Sequence, residues 1–465
     1  MNVKRAPITT FCVVLALVFY SLDLRHLEWA AAAAATLPDA VVLKLPGFLC
    51  TCSLLLGFAF YFLFERFNAQ AVAHLPLWDE LKTARGGGTV RMMTINMLLR
   101  PPFINYNGDD YKNERLELLV RHVLPHYDIV ALQEVFWFWN FRLGTLLKEA
   151  QALGFHWYTS NAAPPLSSRK FIDGGLLILS RFPITETRKR IYTNGVQIDG
   201  WAAKQALYAK VHISPTTHIH VVTTHTQADY ASNSTNAQNA TTRMSQIREI
   251  GELIHDVWRE DPHKGEVIVM GDLNVDGRAH DDETRMAKRD KWGAWGEEDR
   301  DSEEYKVMME TFRRSVRGKA VVGKSVKKEL GLDHHNNGCK AKESEPDAAK
   351  PLLICTDLLR EANKGVNPVT IGDVKVLDDG CLAPRETALT DPVTDMLSRS
   401  CLDYMIHFKL VDESAPKREE LAVMEAQVEP FFFDPRKLGG LPITQLSDHY
   451  GLSAAVTIKP TTQSS

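Results

Sequence analysis

The sequence predicts a layered α/β fold with mixed sheets, preceded by apolar N-terminal segments. Three observations carry this expectation. Short β-type runs recur from Thr89 onward, with helical patterns between several of them. The runs on either side of Ser214-Pro215 read as a hairpin, so the pairing is not all parallel. Finally, Glu266-Val267-Ile268-Val269-Met270-Gly271-Asp272-Leu273-Asn274 reads as a buried strand ending in glycine, carboxylate and carboxamide. Strand alternation puts Asp272 and Asn274 on one side while Leu273 faces the core. Alone, that run is equally an ordinary strand followed by an Asx-type turn.

Taken in order, Val90–Ile95 reads as a strand and Lys112–Leu124 as a helix with Leu116, Leu119, Val120 and Val123 on one face. Tyr127–Leu132, Gly174–Leu179, Gln205–Ile213 and His218–Thr224 read as strands. Arg243–Trp258 is an amphipathic helix leading into the strand Val267–Met270, and Cys401–Phe408 and Gly451–Ile458 close the pattern. Residues 277–368 interrupt it. Lys324–Glu329 and Lys340–Lys350 are too charged for core, so the stretch reads as a mobile insertion.

Composition narrows the function. The chain has 465 residues and a net charge of −4, with no basic domain, which disfavours a nucleic-acid partner. None of the seven cysteines falls between Val90 and Gly338, and no CxxC pair exists. A disulfide framework and a paired-cysteine zinc site are therefore not expected.

Residues 1–66 read as membrane-associated. Ile8–Leu22 follows Lys4 and Arg5 and suits a signal-peptide core or a short anchor. Leu45–Phe64 is about 20 uncharged residues, long enough to cross a bilayer. If both segments span, Lys82, Arg85 and Arg91 favour a cytosolic face. The expectation is an integral membrane protein with a cytosolic catalytic domain. Residues 67–89, with Arg85-Gly86-Gly87-Gly88, form a linker; 90–458 form the main domain and 459–465 a tail. The sequons Asn233-Ser234-Thr235 and Asn239-Ala240-Thr241 offer a topology marker, since glycans there would place the nearby His225 in a lumen.

Polar groups recur at strand ends: Thr94-Ile95-Asn96, Gln133-Glu134, Thr224-His225-Thr226-Gln227, Leu402-Asp403-Tyr404 and Ser447-Asp448-His449. Each alone is more simply a local cap or turn. Together with Asp272 and Asn274 they change meaning. Asn96, Glu134, Asp272 and Asn274 are hard oxygen donors suited to Mg²⁺. His225 and His449 can move protons or donate to phosphate oxygens. No serine elbow supports nucleophilic serine chemistry instead.

This ordered set resembles the endonuclease/exonuclease/phosphatase superfamily over roughly residues 90–280 and 385–458, on its TxN, QE, GDxN, LDY and SDH motifs. The resemblance implies a DNase I-like four-layer α/β sandwich of two packed mixed sheets flanked by helices. It implies Glu134 as the main Mg²⁺ ligand, with Asn96 alongside, and Asp272 and Asn274 orienting nucleophile and phosphate. Asp272, Asn274 and Asp448 also count among the metal-binding groups, with Mn²⁺ able to stand in for Mg²⁺. His449 resembles the general base, with Asp448 beside it and Asp403 orienting it.

Several loops look most like the neutral sphingomyelinase branch: Thr224-His225-Thr226-Gln227-Ala228, Arg243-Met244-Ser245-Gln246, Lys170–Gly175 with Ser180–Ile184, and a divergent Thr390-Asp391-Pro392. His225 would contact phosphate. Lys204-Gln205 departs from the branch's usual Lys-Gly pair. The branch implies a Mg²⁺-dependent phosphodiesterase of the phospholipase C type, acting on sphingomyelin or a related phosphosphingolipid in a bilayer. The alternatives are a membrane-tethered nuclease, an inositol polyphosphate 5-phosphatase and a silent binding module. Phe136-Trp137-Phe138-Trp139 could equally dip into the interface or pack in the core. Protein partners are not indicated.

Overall fold

Alternating apolar side chains build two six-stranded sheets that face each other. In the computed structural model the described residues are 88–459, except 102–103, 106–108, 138–140, 162–169, 171, 230–235, 262–264, 280–299, 319–351, 373, 377–381, 385–387, 390–398, 412–419 and 439. The chain divides into two units. Met1–Ala73 with Pro102–Ile104 form one, and His74–Pro101 with Asn105–Ser465 form the other, which holds every element below.

The first sheet takes β1 (Thr89–Leu99), β2 (Ile129–Val135), β3 (Trp157–Ser160) and β4 (Leu177–Ser180). The second takes β5 (Ile184–Ile191), β6 (Gln205–His212), β7 (His218–His225), β8 (Val267–Asp272) and β9 (Leu352–Asp357). Two small ribbons follow, β10 (Ile371–Gly372) with β13 (Arg399–Ser400), and β11 (Val374–Val376) with β12 (Leu382–Pro384). Then β14 (Asp403–Val411) joins the second sheet, and β15 (Glu420–Glu429) and β16 (Gly451–Lys459) join the first. The orders are β15-β16-β1-β2-β4-β3 and β5-β6-β7-β8-β14-β9. β1 pairs with β2, and β7 with β8, in parallel; the other neighbours are antiparallel.

Helices α1 (Lys112–Leu118), α2 (Arg142–Ala152), α3 (Asn236–Glu260), α4 (Glu303–Val316) and α5 (Leu358–Ala362) complete the domain. Met92, Ile129, Ala131, Ile178, Ala209, Val221, Ile268, Met270 and Met405 form the core between the sheets. Val222, Val267, Val269, Ile406 and Phe408 face the other way, against Ile247, Ile250 and Ile254 of α3 and Met308 and Phe312 of α4. A one-residue slip would turn each strand inside out, and each buried Ile or Val contributes about 2 kcal/mol, so the register is firmly set.

Within the charge-rich stretch Lys324–Glu329 and Lys340–Lys350 lie outside the described residues, and the described parts form regular elements. Ser302 caps α4 by accepting the Tyr305 N–H at 3.0 Å, and Tyr305, Met308, Met309, Phe312 and Val316 give it a buried face. β9 pairs with β14 as an edge strand. Asp357 caps α5 through the Arg360 N–H and accepts the Tyr305 hydroxyl at 3.0 Å. Burial pushes its carboxyl up to about 6 despite those bonds. The folded chain then holds this proton more tightly than the unfolded chain, so stability falls as pH rises from about 4 to about 6. Asp357→Asn should flatten that window. Denaturant midpoints should show the variant gaining on the wild type by about 2 kcal/mol between pH 4 and pH 7.

The reading of an integral membrane protein with a cytosolic domain is corrected here. Among the described residues no helix is long and apolar enough to cross a membrane. The 25-residue α3 has the length, but Arg243, Arg248, Glu249, Glu252, Asp256 and Arg259 interrupt any apolar span. Ile8–Leu22, Leu45–Phe64 and Thr390-Asp391-Pro392 lie outside the described residues, as does Asn233. Asn239 is fully buried within α3, so the folded chain cannot present it for glycosylation.

Candidate active site

Strand parity aims one set of polar side chains between the sheets. Thr94 and Asn96 on β1 share the face of Val90 and Met92, and Gln133 on β2 shares that of Ile129 and Ala131. Thr223 and His225 on β7, Asp272 on β8 and Asp403 on β14 point into the same gap from the other sheet. Asp403 and Asp272 are direct cross-strand partners, and so are His225 and Asp272. Gln133 Nε2 donates to Thr94 Oγ1 and Thr223 Oγ1, both at 2.9 Å, and so ties the sheets together beneath the site.

Alternation alone would turn Glu134 away. Its backbone instead adopts φ 56°, a left-handed conformation that costs a non-glycine residue free energy and that marks functional sites. Gly175 makes room for this: a Cβ there would lie 2.9 Å from Glu134 Cα, and its own φ is +66°. Asn274 is also left-handed, at φ 48°. Its N–H donates to Asp272 Oδ1 at 2.9 Å and its Nδ2 to the Thr226 carbonyl at 3.2 Å. The Asx-type turn is therefore real, and it uses only one oxygen of Asp272.

The other oxygen is the hub. Asp272 Oδ2 accepts from Asn96 Nδ2 at 3.0 Å, and lies 3.5 Å from His225 Nε2 and 3.8 Å from His449 Nε2. Asn96 Nδ2 also donates to Glu134 Oε1 at 3.0 Å. Its Oδ1 accepts the Leu98 N–H at 3.0 Å, so Asn96 bridges two carboxylates through nitrogen rather than offering its oxygen as a ligand. His449 Nδ1 lies 2.9 Å from Asp403 Oδ2. Asp448 accepts from Ser447 Oγ and the His449 N–H, close enough for its charge to act on Glu134 and His449.

Every predicted site residue thus converges at one end of the sheet pair. Three contributors were not predicted. Thr370 Oγ1 donates to Asp403 Oδ2 at 2.7 Å and accepts the Leu402 and Asp403 N–H groups. Fully buried Arg115 donates to the carbonyls of Met97, Leu98, Asp110 and Leu446, joining the end of β1 to the loop that carries Asp448 and His449. Lys204 bridges Asp199 at 2.9 Å and the Thr226 carbonyl at 2.5 Å, holding the loop after His225. Only Lys204 had a sequence signal, in the Lys204-Gln205 pair.

The electrostatics separate the two histidines. Burial disfavours the charge of His449, but Asp403 and Asp272 outweigh it and hold the imidazolium well above the usual histidine range. Burial, Lys204 and His449 together hold His225 well below that range. Burial raises the Glu134 carboxyl despite the Asn96 bond and Arg100, and it raises Asp272 against the opposing charge of His449.

The donor set fits a hard divalent cation: crowded carboxylates that resist ionising together become favourable ligands once a cation balances them. Asp272, Asp403 and His449 offer ligand atoms within 4.8 Å of one another. His449 Nδ1 engages Asp403 at 2.9 Å, whereas Glu134 Oε1 and Asp272 Oδ2 each lie 3.0 Å from Asn96 Nδ2, so these two carboxylates are oxygen donors that could hold such an ion. Phe136 and Trp137, just past Glu134, are half-buried, while Phe138 and Trp139 lie outside the described residues.

The endonuclease/exonuclease/phosphatase family model matches residues 93–312. The chain is similar to a sphingomyelinase of Dictyostelium discoideum, with 28% identity over 406 residues covering 77% of each protein. It is 28% identical over 198 residues to sphingomyelinase C of Bacillus cereus, which is 40% of this chain and 57% of that one. Among solved structures, a Staphylococcus aureus beta toxin with bound magnesium ions aligns at 17% identity and TM-score 0.45, over 79% of this chain and 99% of that one.

Proposed function

The chain belongs to the endonuclease/exonuclease/phosphatase family and is a phosphoric diester hydrolase, and from that premise we propose that it hydrolyses sphingomyelin or a related phosphosphingolipid to ceramide and the phosphorylated head group. The observation that carries the reading is the Asp403–His449 pair set against the Asp272 hub, with Glu134 turned inward beside it.

His449 acts as general base. In its neutral form Asp403 Oδ2 takes the Nδ1–H and leaves Nε2 to remove a proton from water, and a cation held beside Asp272 would offset the carboxylate charge that otherwise keeps the imidazole protonated. Thr370 holds Asp403 in place, so the imidazole has one orientation. The activated water attacks phosphorus as His449 takes its proton, the P–O bond to ceramide breaks on the far side, the ceramide oxygen takes a proton from solvent, and His449 returns its own to solvent. His225 stays neutral, and among the described residues its buried Nδ1 has no hydrogen-bond partner, which suits a contact to a phosphoryl oxygen. The Asn274 carboxamide, fixed by Thr226, is a second polar group for the phosphate. A Mg²⁺ ion held by Glu134 and Asp272 would neutralise charge developing on the phosphoryl oxygens. Asp448 adds negative charge to that side of the site.

Phosphocholine release from sphingomyelin vesicles is the test. Release should require Mg²⁺, stop with EDTA and return when Mg²⁺ is restored in excess. Metal-dependent cleavage of DNA or an inositol polyphosphate, without sphingolipid turnover, would overturn the substrate assignment.

A further inference from the structure

A second titratable cluster lies at the far end of β7 from the catalytic groups. His218 and His220 are two residues apart and share the helix-facing side of the strand. Across the hairpin His212 pairs with His218, and Lys210 with His220, on that same face. Asp261 follows α3 directly and brings its carboxylate underneath. Its Oδ2 lies 2.9 Å from both His218 Nε2 and His220 Nε2, and it also accepts the Gly265 N–H at 3.0 Å. All three side chains are buried. Seven residues separate His218 from His225, roughly 23 Å of strand at about 3.3 Å per residue, so this is not an outlying part of the catalytic site.

We propose that His218, His220 and Asp261 form a binding site for a borderline divalent cation of the Zn²⁺ class, separate from the hard-oxygen site. Two imidazoles and a carboxylate are a recognised zinc ligand set, and solvent or half-exposed His212 completes it. Their ligand atoms lie within 4.8 Å of one another. Three donors crowd one carboxylate oxygen that has two lone pairs, an arrangement a cation shared with the imidazoles would relieve.

The surroundings are suited to the site as well. Tyr208 Oη lies 2.8 Å from His220 Nδ1, the outer hydrogen bond that fixes a ligating imidazole. On metal binding each neutral imidazole moves its proton from Nε2 to Nδ1 through solvent, so each Nε2 presents its lone pair to the ion and the new His220 Nδ1–H donates to Tyr208 Oη. Gly265 is required for the approach, because a Cβ there would come within 2.7 Å of His218 Nε2 and 3.0 Å of His220 Nε2. Lys210 lies 3.5 Å from the opposite oxygen, Oδ1, and leaves Oδ2 to the imidazoles. An ion here would clamp the β6–β7 hairpin to the end of α3.

The test uses the full chain, stripped with chelator and equilibrated in excess Mg²⁺ to fill hard-oxygen sites, then titrated with Zn²⁺. One equivalent should bind, with a rise in Tm. His218→Gln/His220→Gln should retain less than about one-tenth of that zinc and lose the Tm rise. Co²⁺ added to the wild type should give the intense visible bands of a four-coordinate site, a readout that does not depend on the variant folding. Absence of stoichiometric zinc on the wild type, absence of those bands, or zinc binding undiminished in the folded double variant would each overturn the proposal.

Discussion

Replacing His449 with glutamine is expected to lower kcat for sphingomyelin by about a thousandfold, within the range that general acid–base catalysis contributes. Glutamine can still reach Asp403, so the change removes the base while keeping a polar side chain in its place. Mg²⁺ dependence and KM should change little, because the side chain acts on water rather than on the lipid. Steady-state phosphocholine release across substrate concentrations checks this. A loss of less than tenfold would remove His449 from the base role.

Glu134→Gln should have a comparable effect through a different parameter. The isosteric amide can still accept from Asn96 Nδ2 but no longer offers a carboxylate charge to the ion. The Mg²⁺ concentration giving half-maximal activity should rise by about a hundredfold or more, with residual turnover recovered at high Mg²⁺. Activity measured as a function of Mg²⁺ separates this from His449→Gln, whose loss no added metal should recover. Unchanged Mg²⁺ dependence would show that Glu134 does not hold the ion.

Much of the site was legible because strand alternation is legible. Asn96, Gln133, His225, Asp272 and Asp403 sit where period two puts them, at one end of the two sheets. Glu134 has the opposite parity and reaches the site only through its left-handed backbone, which no local pattern announces. The sequence also posed a false choice at Asp272. One oxygen makes the Asx turn with Asn274 and the other gathers Asn96 and the histidines. Thr370 and Arg115 stayed hidden because their roles depend on distant backbone groups, and Thr370 sits just beyond the charge-rich stretch.

Charge density misled in that stretch. Glu303, Glu304, Lys306, Glu310, Arg313 and Arg314 dominate the composition of α4, yet Tyr305, Met308, Met309 and Phe312 recur at helical spacing and bury. Periodicity was the better guide there. The apolar N-terminal segments Ile8–Leu22 and Leu45–Phe64 lie outside the described residues, and no described helix is long and apolar enough to cross a membrane. The proposed chemistry rests on the convergence of Glu134, Asp272, Asp403 and His449, and not on an anchor.

Hydrolysis of sphingomyelin in ¹⁸O-labelled water tests the central claim most directly, because it reports which bond breaks. Attack on phosphorus by water activated at His449 places one ¹⁸O in phosphocholine and none in ceramide. Label appearing in choline or ceramide, or turnover that yields no phosphocholine, would contradict it.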